Sequence, residues 1–226
     1  MKRIFLLMLS VLSLSVMAQD NKTADDYVAE GSEAYRSKDY KSAFTAFETA
    51  LQMKKQEGVT DTVLYYNTGY CAYKSNQFEK ASTYFEKSVE LGYKTELSYV
   101  FATNSYRKAN NDEKFATSLT AAFEKYPKNK TLVMLMATHQ FKLGLNHYNK
   151  ASEIVAEAAK INETEPDRFK TLMSQAQGEY NLALPYLLKT YDLNPKTKNL
   201  FEALSGVYEG LNNKEEAAKW KALAEK

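Results

Sequence analysis

Cysteine is almost missing from this chain: Cys71 is the only one in 226 residues. A lone cysteine excludes an intramolecular disulfide, so packing alone must hold the fold. Histidine is nearly as scarce, limited to His139 and His147. A zinc site needs three or four ligands. These two therefore read as a packed helix residue and a solvated turn residue, and no metal is expected. There is also no phosphate-cradling glycine loop, no His-Glu-x-x-His, no nucleophile elbow and no Cys-x-x-Cys, which leaves no catalytic residue and no cofactor to expect. Cys71 stands in a strongly apolar stretch, where a thiol behaves as a small hydrophobe.

Long apolar runs are missing too. The longest opens the chain, where Met1, Lys2 and Arg3 precede an apolar and Ser stretch of 13 residues from Ile4 to Val16, closing on Met17-Ala18. A bilayer-spanning helix needs roughly 20 apolar residues, whereas a basic start, a short apolar span and a small residue at the cut make a secretory signal peptide. The expectation is cleavage of residues 1–18 before Gln19, a short extension over 19–23, and an exported chain without a transmembrane segment, placed in a Gram-negative periplasm. Charge of one sign is the last absence. Without Lys2 and Arg3, the 30 Lys and Arg fall to 28, against 28 Asp and Glu. A neutral chain does not suggest nucleic acid as a partner.

What is present is a repeat. A small or apolar residue is followed at plus four by a large apolar one and at plus seven by a small one. The triples are Ala43-Phe47-Ala50, Ala81-Phe85-Ser88, Phe115-Leu119-Ala122, Ala151-Val155-Ala158, Ala183-Leu187-Thr190 and, less cleanly, Ala217-Lys221-Ala224. This spacing marks one face of a helix. The leading positions lie 38, 34, 36, 32 and 34 residues apart, and an aromatic residue stands three before four of them, at Tyr40, Phe78, Tyr148 and Tyr180. Insertions fall at 56–60 and around Leu145-Asn146-His147, which read as loops. Pro127 and Pro195 lie 68 residues apart, or two periods, and end corresponding helices. Upstream of the triples, Gly31, Gly69, Thr103, Ala137 and Ser205 supply small residues where a preceding helix crosses. Pro166 and Pro185 make the fifth unit a candidate for a kink.

The stretch Tyr65 to Tyr73 followed by Phe78, Ala81, Tyr84 and Phe85 resembles the tetratricopeptide repeat, a helix-turn-helix unit of 34 residues. The resemblance extends over residues 24–226 and implies an all-α superhelical solenoid of about six units, each hairpin covering the apolar face of the last. Lys221 stands where other units carry Phe, Leu or Val, as suits a solvent-facing final helix.

The same resemblance implies that the first helix of each unit lines a groove, with ligand contacts just past the small crossing residue. Carried over, this gives Ser32, Tyr35 and Arg36; Tyr70, Tyr73 and Lys74, with Tyr66 one turn earlier; Asn104, Arg107 and Lys108; and Thr138, Phe141 and Lys142, with Met134 one turn earlier. Ser174, Gln177, Glu202 and Glu209 continue it. A neutral protein would then hold a groove that is basic and aromatic along its first two-thirds. Its expected partner is a protein or peptide that is acidic or ends in a free carboxylate. The expected role is an adaptor in envelope assembly, secretion or complex maintenance. Two alternatives stay open: a structural subunit of an envelope complex that uses its convex face, and an enzyme with a site around Cys71. The tyrosines also have a simpler reading, as packing between hairpins.

Overall fold

A computed structural model describes residues 22–193 and 197–225. Ten helices and no strand are found among them. Helices α1 (Ala24–Arg36) and α2 (Tyr40–Gln56), α3 (Thr62–Lys74) and α4 (Phe78–Glu90), and α5 (Thr95–Lys108) and α6 (Asp112–Lys125) form three successive pairs. Then come two long helices, α7 (Lys130–Ala159) and α8 (Pro166–Asp192), and a final pair, α9 (Lys198–Gly210) and α10 (Lys214–Ala224). The segment expected as a signal peptide and the position of Pro195 lie outside the described residues.

Local chemistry explains where the paired helices start and stop. Asp39, Asn111 and Asn213 accept from the backbone N–H three residues on, satisfying a donor that the helix itself leaves open. Thr23 and Asp26 form a reciprocal capping box at the start of α1. Each short turn reverses direction through one left-handed residue: Lys38, Asn76, Asn110 or Asn212. Within a pair the backbones approach closely. A Cβ on Gly31 would stand 2.5 Å from the Phe47 ring, so only glycine fits that crossing.

The leading residues of all six triples are buried, as their spacing requires. Helix count is where the structure departs from the sequence reading. The turn expected at Leu145-Asn146-His147 does not form, and α7 runs through it; α8 likewise passes through Gly178 and Pro185. Units four and five are therefore one long antiparallel hairpin rather than two short ones. Its contacts span the full length: Thr190 Oγ1 donates to the Ala137 carbonyl at 3.5 Å, and the Tyr148 and Tyr180 rings meet at 6.0 Å. His147 and Glu179, which occupy the positions that cap in other units, bond each other instead at 2.7 Å. Lys150 also pairs with Glu179. Pro185 starts no kink strong enough to divide α8, although it leaves the Asn181 carbonyl without its helical donor.

Three apolar cores follow the chain. One joins α1 to α5, a second joins α5, α6 and the start of α7, and a third fills the space among α7 to α10. Lys221 of the last helix is exposed, while its neighbour Trp220 packs edge-on against Tyr191.

Candidate peptide-binding surface

Seven residues are close to two helical turns, so residues that far apart share a helix face. This places Val63 on the face of Tyr70, Leu97 on that of Asn104, and Met134 on that of Phe141. Among the described residues six large hydrophobics are exposed, and four of them stand one each on α1, α3, α5 and α7: Tyr35 at 40%, Val63 at 44%, Leu97 at 47% and Met134 at 70%. The other two, Val59 and Leu182, lie in the loop before α3 and on α8. Val63 and Leu97 escaped the sequence reading. Their signal was available, as apolar residues one period apart on the face already singled out.

The tyrosines divide between surface and core. Tyr35 meets Tyr40 at 5.8 Å and Tyr70 at 6.0 Å between ring centroids. Burial, with the neighbouring phenols Tyr70 and Tyr40, raises its pKa above the ordinary tyrosine value. Beside it Ser32, Arg36, Phe47 and Asn67 line a small cleft of about 220 Å³ between α1 and α3. Tyr70 and Tyr73 are half-buried, and both pack edge-on against Phe101 of α5, at 5.6 and 5.2 Å. Tyr66 is only 7% exposed, with its ring against Phe85 and Tyr93, so it offers a ligand little surface.

The cations occupy repeated positions. Lys74 lies 5.5 Å from the Tyr40 ring centroid, and Lys108 lies 5.2 Å from that of Phe78. Lys142 reaches the corresponding residue of the third pair, Asp112, at 3.3 Å. Each cation thus bridges to the start of the second helix in the preceding unit. Such exposed contacts contribute up to about 1 kcal/mol each. Arg36 bonds the Ser32 carbonyl, and Arg107 donates to Asn104 Oδ1. Arg36, Lys74, Arg107 and Lys108 make no ion pair among the described residues. Phe141 is half-buried in the core formed with α8 and α9.

A larger cleft of about 770 Å³ opens where α7 leaves α6. Phe115, Leu135 and Leu143 contribute apolar walls, Arg107 and Lys142 contribute positive charge, and Asp112 contributes negative charge. His139 faces the Phe115 ring edge-on at 5.4 Å. Burial, helped by the Lys142 charge, lowers its pKa against a smaller opposing effect of Asp112. Cys71 is elsewhere, fully buried in the core of α1 to α5, and burial pushes its thiol up to about 12. It is therefore protonated at neutral pH and does not meet His139, so the pair forms no nucleophile and base.

Residues 63–91, covering α3 and α4, match the tetratricopeptide repeat family model. Solved structures of similar fold include a TPR repeats protein from Bacteroides fragilis NCTC 9343, 18% identical, with 82% of this chain and 98% of that chain covered and a TM-score of 0.52. The MamA protein is 16% identical over 89% of each chain, at a TM-score of 0.46. YrrB, described as a TPR protein with an unusual peptide-binding site, is 14% identical over 91% of this chain and 87% of its own, at 0.47. No curated protein matches the chain at a comparable level. The fold is therefore that of an all-α helical solenoid. The family model itself covers the α3–α4 pair, and the chain as a whole is similar in fold to a tetratricopeptide-repeat protein.

Proposed function

We propose that this chain is an exported adaptor that holds an extended segment of a partner protein along the faces of α1, α3, α5 and α7. The observation that carries the reading is the placement of one exposed large hydrophobic on each of these helices, at Tyr35, Val63, Leu97 and Met134. Val63 and Leu97 hold equivalent positions one period apart, while Tyr35 and Met134 stand elsewhere on their helices. An exposed apolar side chain on each successive first helix favours one contact surface over scattered surface residues. The cations Arg36, Lys74, Arg107 and Lys108, which form no ion pair among the described residues, favour a segment that is acidic or ends in a free carboxylate. Binding of this kind needs no cofactor and no catalytic group. The signal-like residues 1–18 support export to a periplasm, and so a role in the assembly or upkeep of envelope complexes.

An array of acidic peptides with free C-terminal carboxylates, interspersed with apolar residues, tests the reading. Peptides retained by the mature chain should lose affinity about tenfold for each of Val63→Asp and Leu97→Asp, since each side chain would forfeit 1 to 2 kcal/mol of apolar burial. Both positions are already exposed, so thermal stability should hardly change. Unaltered binding to the double variant would move the contact surface to the second helices.

A further inference from the structure

Gly178 has no packing role in α8. It is exposed in mid-helix, and a Cβ there would meet nothing within 4 Å, although glycine is among the least favourable residues inside a helix. The repeat supplies a reason for it. Left-handed Lys38, Asn76, Asn110 and Asn212, with φ of 64°, 62°, 56° and 59°, stand two residues before Tyr40, Phe78, Asp112 and Lys214, which begin the second helices. The positions equivalent to them before Tyr148 and Tyr180 are Asn146 and Gly178. Glycine and asparagine enter the left-handed region at the lowest cost.

Both sites where a turn would fall thus keep residues suited to a turn, yet both are helical. The long hairpin has a dedicated residue of its own: a Cβ on Gly144 would stand 2.7 Å from Leu187 Cδ2, and Leu187 is fully buried. We infer that α7 and α8 fold in two ways, as the long hairpin and as two further helix pairs that turn at Asn146 and Gly178. In the second arrangement residues 148–159 fold back on the first half of α7, and 180–192 on the first half of α8. The regular array then runs to six units, and the first-helix face continues past α7 into residues 166–177. The inference concerns the fold of the chain alone and needs no bound partner.

A disulfide distinguishes the two arrangements. In the third pair Thr103 Oγ1 lies 2.8 Å from Ser118 Oγ, and the equivalent residues in the fourth unit are Ala137 and Ile154. On a continuous α7 these are roughly 25 Å apart at 1.5 Å per residue, far beyond the ~4 Å between Cβ atoms that a disulfide allows. With Cys71→Ala removing the native thiol, Ala137→Cys/Ile154→Cys should form an intramolecular disulfide in monomeric protein under mild oxidation. Thr103→Cys/Ser118→Cys serves as the positive control. Adding Gly178→Ala should slow cross-linking about fivefold, and Gly144→Ala should accelerate it. Oxidation of the control alone, or a disulfide found only between two copies, would overturn the inference. Hydrogen exchange on the unsubstituted chain provides a second reading. Residues 144–148 and 176–180 should exchange faster than the helix on either side, and Gly178→Ala should suppress this at 176–180; uniform protection along α7 and α8 would also overturn it.

Discussion

At Asn110 the chain turns and starts a new helix, whereas at Asn146, 36 residues later in an equivalent place, it continues as helix. The residue at the turn is the same; its surroundings differ. Asn111 caps α6 by accepting from the Lys114 N–H, while His147 bonds across to Glu179 of the neighbouring helix. A cap contributes about 1 kcal/mol, comparable to what one lateral contact between helices supplies. Period alone therefore does not fix where a repeat protein turns. The first and third pairs turn where a cap and packing agree, and the second turns although Gln77 gives α4 no side-chain cap. Helices α7 and α8 run straight where contacts between the two helices take the place of caps.

The largest effect expected from this contrast is at the residue four past the leading alanine. Phe85 in α4 is fully buried, and Phe85→Ala should cost about 3 to 5 kcal/mol in denaturant unfolding. Its equivalent in α7, Val155, is half-buried, and Val155→Ala should cost less than about 1.5 kcal/mol. A comparable loss at both positions would mean that residues 148–159 pack as α4 does, and the contrast would fail. Next in size come the two glycines. Gly144→Ala should destabilise by about 1 to 3 kcal/mol, since the buried Leu187 cannot withdraw without disturbing its neighbours. Gly178→Ala should stabilise by up to about 1 kcal/mol through helix propensity. If both shifted the melting temperature in the same direction, the long hairpin would not distinguish a packed from an open helix face.

Much of the fold was legible because spacing at 0, 4 and 7 reports burial, and the same face is buried whether a helix turns or continues. Hence Ala151, Ala158, Ala183 and Leu187 are core residues although their units are not hairpins. The missing turns were illegible because Asn146 and Gly178 are good turn residues. Contacts distant in sequence decided against them, such as Thr190 on the Ala137 carbonyl. On the surface, the spacing puts the cations Lys74, Lys108 and Lys142 at corresponding positions, and each has a partner in the preceding unit that a list of positions cannot reveal. Tyr66 illustrates a different limit: its helix position suggests a groove, and the Phe85 and Tyr93 rings close over it.

The smallest effect expected separates the two regions by pH. Both histidines belong to the long hairpin, so the described helices α1 to α6 contain no group that ordinarily titrates near neutrality. His139 sits against Phe115, with Lys142 one turn along its own helix and Asp112 and Arg107 facing from α6 and α5. Burial, then the Lys142 charge, lowers its folded pKa, while Asp112 opposes them weakly. In the unfolded chain the imidazole titrates near its usual value of about 6.5. Below that pH the unfolded state binds a proton that the folded state resists. Stability due to neutral His139 is therefore present above about 6.5 and lost as pH falls below it. His139→Asn removes the titrating group, so the decline in melting temperature between pH 7.5 and 5.5 should be shallower in the variant than in the unsubstituted chain. The change in slope is the readout, because lost packing against Phe115 lowers both ends of the curve alike. Equal slopes would show that protonation of His139 is not resisted where α7 leaves α6, and that this cleft is as well hydrated as the open surface of the early repeats.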